Sequence, residues 1–167
     1  MKKIIIFIIL FSPVLLTSYD PVFDYAPDNF KPILLERSIL ENSVKYEAPQ
    51  TVKKPGKIYS YKNYILLNEK YKGIHVFDNS SPESPQNIGF IRIPGCIDMA
   101  VKDSVLYADN AVDLIAVDIT NIKSPKVVKR IVEVFPELKP PGQDWIPYAY
   151  AKESRPEKTV IIEWIEE

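Results

Sequence analysis

The chain of 167 residues contains one histidine and one cysteine, which limits the acid–base, nucleophilic and metal chemistry open to it. His75 lies between Ile74 and Val76 in an apolar stretch, and Cys96 follows a Pro-Gly pair. A nucleophilic cysteine needs a base beside it, and a metal site needs several ligands at suitable spacing. Neither residue stands in such a motif. We therefore predict no catalytic nucleophile, metal site or cofactor. We expect His75 on the strand face opposite Ile74 and Val76, and Cys96 as a buried thiol, with an intermolecular disulfide as the alternative.

Carboxylates and a carboxamide are concentrated in the stretch CIDMAVKDSVLYADNAVDL, as Asp98, Asp109, Asn110 and Asp113. A calcium loop would need a D-x-D-x-D-G spacing, which is absent, so these residues are predicted to serve turns and strand ends. Asp78 and Asp118 are likewise expected to accept backbone N–H groups in the turns that follow them. The alternative is a hydrolase or lyase, which would require two of these carboxylates to converge at about 5–9 Å with one raised pKa.

Aromatic and charged side chains on predicted loops are the candidate binding residues. Tyrosine contributes contact area at small entropic cost, so such loops can form a recognition surface. The alternative is an ordinary amphipathic surface. The candidates are Glu69, Tyr71, Lys72, Tyr148 and Tyr150.

Short segments rich in β-branched and aromatic residues, separated by turn residues, predict the strands that position these groups. Lys62-Asn63 and Lys102-Asp103 are predicted to be two-residue hairpin turns. The expected strands are 57–61, 64–69, 73–78, 87–93, 96–101, 104–109, 113–118 and 126–134.

The stretch KGIHVFDNSSPESPQNIGFI (72–91) has a looser copy in VDLIAVDITNIKSPKVVKRI (112–131) when Asp78 is placed on Asp118. Four short antiparallel strands in about 40 residues match the size of one propeller blade. The predicted fold is therefore all-β, with two four-stranded antiparallel blade-like repeats (55–93 and 94–134) that resemble part of a β-propeller.

Flanking segments complete the predicted organisation. Residues 19–54 form an N-terminal segment in which 31–35 is an extra strand, and a capping box at Ser38–Glu41 starts a short helix through Val44. Residues 135–167 form a loop, irregular through Pro156, and a final strand at 159–164. Two blade-like sheets would leave two apolar outer faces in water, so we expect the flanking segments, a second copy of the chain, or both to cover them.

The N-terminus MKKIIIFIILFSPVLLTS has the basic, apolar and small-residue regions of a secretory signal. We predict a signal peptide over residues 1–18 and export to the periplasm or cell surface, with membrane attachment only through an uncleaved signal segment. Leu16, Thr17 and Ser18 match the start of a bacterial lipobox. Tyr19 stands where the lipid-accepting cysteine would be, so the segment as written is not a lipoprotein signal.

Composition places the chain among ordinary folded proteins, with 46% apolar and 26% charged residues. The 21 basic and 22 acidic residues give a net charge of −1 without a long single-sign run. Nucleic acid is therefore not an expected partner, because its phosphates require a basic surface. One cysteine cannot form an internal disulfide, so stability has to come from burial or association.

The stretches GIHVFDNSSPESPQNIG and DLIAVDITNIKSPKVVK resemble the LVIVD-repeat family of exported bacterial proteins. IRIPGCIDMAVK, LYADNAVDL and RPEKTVIIEW extend the resemblance over residues 31–164. The resemblance implies β-propeller-like repeats. We therefore expect a non-enzymatic binding or scaffold protein of the cell envelope that binds a protein or a glycan; besides the hydrolase or lyase, a truncated paralogue with little activity of its own is the other alternative.

Overall fold

The computed structural model of the chain describes residues 29–166; the predicted signal peptide and Tyr19 lie outside the described residues. The chain contains eleven strands, one short α-helix and one 3₁₀ turn within the described part. The strands are β1 (Phe30–Glu36), β2 (Lys45–Glu47), β3 (Pro55–Tyr61), β4 (Tyr64–Glu69), β5 (Gly73–Asp78), β6 (Gln86–Arg92), β7 (Met99–Lys102), β8 (Val105–Asn110), β9 (Asp113–Asp118), β10 (Lys126–Ile131) and β11 (Thr159–Glu166).

Three antiparallel sheets account for these strands, which confirms the all-β class. The first sheet has the order β2-β6-β5-β4-β3, the second β10-β9-β8-β7, and β1 pairs with β11. The first sheet has five strands, so the prediction of four was wrong for it. The additional strand β2 is fixed to β6 by Tyr46, whose hydroxyl donates to the carbonyl of Ile88 at 2.7 Å. The ring of Tyr46 occupies the space where any side chain at position 89 would stand, so Gly89 is required there.

The helix α1 covers Arg37–Glu41 and differs from the predicted one at both ends. Ser38 lies inside the helix rather than capping it, and the N-cap residue Glu36 makes no side-chain capping bond. The helix ends at Glu41, before the predicted Val44, because Asn42 and Ser43 turn back to bond with the carbonyls of Ile39 and Leu40. The helix begins at Arg37, one residue before the predicted start, and the Arg37 side chain bonds to Asp113 of β9.

Apart from β2, which was not predicted, the strands of the two large sheets were predicted to within a few residues. The 62–63 turn is confirmed, with Lys62 in the left-handed region (φ 51°). The second hairpin turn lies at 103–104, one residue later than predicted, and Asp103 has the positive φ. β7 begins at Met99, so Cys96 precedes the strand instead of starting it. β10 ends at Ile131 rather than at 134, because Glu133 adopts φ 53° and the chain turns away.

The large sheets pack face to face, and their shared core contains the inward side chains of both. Residues paired across two neighbouring strands point to the same face of the sheet, and successive residues along one strand point to opposite faces. Tyr59 and Tyr61 of β3 reach across and donate to the Val101 carbonyl at 2.7 Å and the Ser104 hydroxyl at 3.0 Å. The fully buried core side chains from the two sheets are Leu66, Ile74, Val76, Ile91, Met99, Leu106, Ile115 and Val117.

The two sheets use opposite faces for this contact. β6 has a bulge at Ile88, and β10 has one at Val128. The number of residues from Asp78 to Ile88 equals that from Asp118 to Val128, so β5-β6 can be aligned with β9-β10 residue by residue. In that alignment the core residue Val76 corresponds to Ala116, which points away from the core, and Phe77 corresponds to the core residue Val117. The packing is therefore front against back, as in a stack of repeated layers, rather than two-fold symmetric.

The β1-β11 pair forms a second, smaller core over the loop that joins β8 to β9. Val160 and Ile162 pack there with Leu40, Ala111 and Val112. No helix within residues 29–166 has the length and apolar character to cross a membrane.

Candidate binding face

The centre of the outer face of the first sheet is covered by the crossover segment, residues 48–54, while Ile58 on the edge strand β3 stays exposed. This segment runs from β2 at one edge to β3 at the other and therefore crosses the sheet. Glu69 accepts the N–H groups of Lys53 at 2.9 Å and Lys54 at 2.5 Å. At the other side, the Asn87 side-chain amide donates to the carbonyl of Gln50 at 2.9 Å. The crossover segment thus confirms, for one of the two faces, that a flanking segment covers it.

His75 lies under the crossover segment and is fully buried. Its Nε2 is 3.0 Å from Glu69 Oε2, and its ring packs edge-on to Phe90 with centroids 4.9 Å apart. Its side chain is on the face opposite Ile74 and Val76, as predicted. Burial by itself raises the pKa of Glu69, but the bonds from Lys53, His75 and Lys54 outweigh it and lower that pKa.

Within residues 29–166 no segment crosses the outer face of the second sheet, and only residues 135–139 border it; we call this face the open face. Tyr107 is 40% exposed and Ile131 is 45% exposed, although both stand on strands. The side chains that define the open face are Ala100, Val105, Tyr107, Leu114, Ala116, Lys129 and Ile131.

Two cavities share Tyr107 and Leu114 on the open face. One, of about 560 Å³, is bordered by Phe135 and Leu138, which follow β10. The other, of about 460 Å³, lies between β8 and the bulged strand β10 and includes Val128. Apolar concave surface with a few polar groups at its border is the usual form of a binding site. The open face is therefore the strongest candidate site in the described part of the chain.

Asp109 and Asp98 stand at the border of the larger cavity. The carboxylate of Asp109 accepts the N–H of Ile97 at 2.9 Å and that of Asp98 at 2.8 Å. Burial raises the pKa of Asp109, and the charge of Asp98 adds to the rise, so the backbone bonds reduce it only in part. Asp98 pairs with Lys57 at 3.1 Å. The two carboxylates are thus neighbours with different environments, although Asp109 is already engaged in closing the loop before β7.

Asp113, the third acid singled out from the sequence, does not converge with this pair. It is fully buried on the core face, where Arg37 binds both its oxygens at 3.0 and 2.6 Å. Arg130 donates to Oδ2 at 2.6 Å and the Glu133 N–H to Oδ1 at 3.1 Å. These bonds join α1, β9 and β10, so the role of Asp113 is structural.

Of the predicted binding residues, Glu69 and Lys72 have structural partners. Glu69 is only 5% exposed and holds the crossover segment. Lys72 Nζ pairs with Glu163 at 2.5 Å, and Lys54 reaches the same carboxylate at 3.1 Å. Tyr71, with φ 68°, joins two loops because its N–H donates to Cys96 and its carbonyl accepts from Gly95.

Tyr148 and Tyr150 lie in the 3₁₀ turn Tyr148–Tyr150, and neither lines the two cavities of the open face. Tyr148 is 67% exposed, while Tyr150 packs edge-on against Trp164 with centroids 5.5 Å apart. Glu163 and Trp164 are adjacent on β11, so their side chains point to opposite faces of the strand. The five predicted residues therefore do not come together in one site.

The remaining predictions from the sequence concern the turns, the thiol and metals. Asp78 and Asp118 accept the N–H groups of Ser80 and Thr120 at 2.9 and 2.8 Å, which confirms their turn role. Cys96 is buried and free, as expected. Burial raises the pKa of the Cys96 thiol well above its ordinary value. Across residues 29–166 no three His, Cys, Asp or Glu side chains are placed to share a metal ion.

The sequence did not lead us to the open face because we predicted its strands without predicting which of their side chains point away from the core. A signal was present in DLIAVD, where Leu114 and Ala116 alternate with Ile115 and Val117 and all four are apolar. A strand that is apolar on both faces requires cover on both. Comparison of the chain with protein families, with curated proteins and with solved structures found no match in any of the three.

Proposed function

We propose that this chain is an exported, non-enzymatic binding or scaffold protein of the bacterial cell envelope, and that its partner packs on the open face. The observation that carries the proposal is the asymmetry between the sheets. The crossover segment covers the centre of the first sheet's outer face and leaves Ile58 exposed on the edge strand β3. On the second sheet Tyr107 and Ile131 are exposed and no segment within residues 29–166 crosses them. Contiguous exposed apolar surface with polar residues at its border is a feature of interaction sites on folded proteins.

The front-against-back packing of the two sheets supports an interpretation of them as propeller-like blades. Successive blades of a propeller stack in this manner, each presenting its front to the back of the next. The open face corresponds to the face through which the first sheet contacts the second, so it has the shape to receive another layer. The resemblance of the two stretches at 72–91 and 112–131 to LVIVD repeats agrees with this interpretation.

The chemistry of the open face favours a protein partner. Its cavities are bordered by aliphatic and aromatic side chains, with Tyr107 and Phe135 as the large rings. A glycan, which would stack a sugar on one of these rings, is the alternative ligand class.

The binding function is tested by placing a photo-crosslinking amino acid at Tyr107 and expressing the chain in its native envelope. Ile58, 67% exposed on the first sheet, is the matched control because it is apolar, accessible and outside the open face. We expect one discrete adduct from position 107 and none from position 58. Equal labelling at both positions, or no adduct from 107, would refute the proposal.

Export is tested by sequencing the N-terminus of the mature protein. Cleavage after Ser18 predicts a new terminus at Tyr19, with an uncleaved anchor as the alternative. A chain that keeps Met1 and fractionates with the cytoplasm would show that the segment is not an export signal.

A second candidate function is favoured by Asp109, whose raised pKa and proximity to Asp98 at the cavity border are features of an acid catalyst. Asp109→Asn removes the titrating group, and Lys57→Ala removes the partner of Asp98. If the wild-type chain turns over a glycoside or ester substrate, the Asp109→Asn variant should be at least about a hundred-fold slower. Absence of turnover over a broad substrate panel leaves the binding function as the assignment.

A further inference from the structure

The two large sheets differ at one edge. In the first sheet, β6 carries the additional strand β2 on its outer side, whereas in the second sheet β10 is an edge strand. Within residues 29–166, the backbone of β10 pairs with β9 and with no other strand. Five of the six β10 residues are exposed. An unpaired edge offers a row of N–H and C=O groups to an extended segment.

The first sheet shows where such a segment fits. β2 pairs with Phe90–Arg92, immediately after the bulge at Ile88. The equivalent bulge in β10 is at Val128, so the equivalent docking residues within the strand are Arg130 and Ile131; the third, Val132, lies just beyond the end of β10. A bulge therefore does not prevent strand addition at this position, because the same chain already makes that contact once.

The charges of β10 determine which segment can add there. Lys126 is opposite Asp118 in the ladder, but Lys129 is opposite Ala116 and has no ion-pair partner in the described part of the chain. Two copies pairing β10 with β10 would bring Lys126, Lys129 and Arg130 of both edges together. Like charges on facing strands are destabilising, so self-pairing is opposed and an acidic segment is favoured.

One position of the added strand is specified further. In the first sheet, Tyr46 stands opposite Ile91 and lies over Gly89 on the same face. In the second sheet the residues at these places are Ile131 and Lys129, so the side chain of the added strand would meet an ammonium group instead of an open glycine. A carboxylate fits this place, and an aromatic ring does not.

We propose that β10 binds an acidic, extended segment of a partner protein as a fifth antiparallel strand, with a Glu or Asp opposite Ile131 and beside Lys129. This inference rests on the proposed binding function and gives the chemical class of the partner. The backbone pairs supply affinity, Lys129 supplies selectivity, and apolar residues of the segment on the same face reach the cavity beside Val128.

The probe is a fluorescein-labelled peptide of about nine residues, alternating Thr and Val with Glu at the centre. Two control peptides are matched to it. In one, Lys replaces the central Glu; in the other, every second backbone nitrogen is methylated. By fluorescence anisotropy we expect the Glu peptide to bind at least ten-fold more tightly than either. Lys129→Glu should reverse the preference between the Glu and Lys peptides, whereas Lys102→Glu, on the other edge strand of the same sheet, should leave it unchanged.

Three results would overturn the inference. The first is no binding by any peptide, the second is equal binding of the methylated peptide, and the third is an equal effect of Lys102→Glu and Lys129→Glu. If peptide binding fails while the adduct from position 107 persists, only strand addition is refuted. If both fail, the binding function itself is refuted. Unchanged thermal unfolding of both charge variants establishes that they are folded.

Discussion

Replacing Glu69 by alanine tests whether the crossover segment is held on the first sheet by this one side chain. The carboxylate accepts two backbone N–H groups at 2.9 and 2.5 Å and contacts His75 Nε2 at 3.0 Å. Hydrogen bonds to a charged group contribute about 1.5–3 kcal/mol each, and the two N–H groups can be rehydrated if the segment lifts away. We therefore expect Glu69→Ala to lower the free energy of unfolding by about 3–5 kcal/mol.

Urea unfolding measures this loss, and amide hydrogen exchange locates it. The N–H groups of Lys53 and Lys54 should exchange faster in the variant, while those of β8 and β9 should change only in proportion to global stability. Glu69→Gln keeps an acceptor oxygen and is expected to cost less than Glu69→Ala. Glu83→Ala, in an exposed turn, is the control and should change stability by less than about 0.5 kcal/mol.

The same side chain predicts the sign of a pH effect. Because the pKa of Glu69 is lower in the folded chain than its ordinary value of 4.5, its contribution is fully present above pH 4.5 and is lost as the pH falls through the folded pKa. Glu69→Gln should therefore flatten that part of the stability curve on the acid side. A loss below about 1 kcal/mol in Glu69→Ala, with unchanged exchange at Lys53 and Lys54, would show that the crossover segment is held by something else.

Three further outcomes follow from buried contacts. Asp113→Ala removes the carboxylate that Arg37 and Arg130 share, so that Arg37 keeps only its exposed bond to Glu41, and should cost about 3–5 kcal/mol in urea unfolding; a cost below about 1 kcal/mol would contradict the structural role. Gly95→Ala should destabilise by at least about 1 kcal/mol, because φ is +75° and the new Cβ would lie 2.7 Å from the Ala111 backbone; an unchanged melting temperature would refute this reading. Cys96 should resist a thiol reagent at pH 8 in the folded chain and react on unfolding, since burial raises its pKa; rapid labelling of native protein would show that the site opens.

Local sequence was sufficient for the strands of the two large sheets other than β2. Alternating and β-branched segments between turn residues gave 64–69, 73–78 and 113–118 with the bounds that β4, β5 and β9 have. The turn role of Asp78 could be read in the same way, because an Asp side chain bonds to the N–H two residues on without help from the rest of the fold. Ends set by distant contacts were less accurate, as at Glu133, whose N–H bonds to Asp113.

The candidate site depended on contacts that the sequence does not display. The tyrosines and charged residues chosen from loops were reasonable by composition, but Glu69 and Lys72 were taken by partners 15 and 91 residues away. The open face, in contrast, consists of strand residues whose exposure results from the position of the crossover segment. That no segment within residues 29–166 crosses the second sheet is a property of the chain path, not of Tyr107 or Leu114 themselves.

The order of apolar, polar and turn residues determined that this chain forms short antiparallel strands, because strand and turn preferences act over a few neighbouring residues. Only the tertiary structure decided that β2 lies at the edge of the first sheet, that no segment within residues 29–166 crosses the outer face of the second sheet, and that Asp113 is buried between two arginines. Those features are set by burial and ion pairing between residues far apart in the chain, and such pairs are chosen by packing after the strands exist.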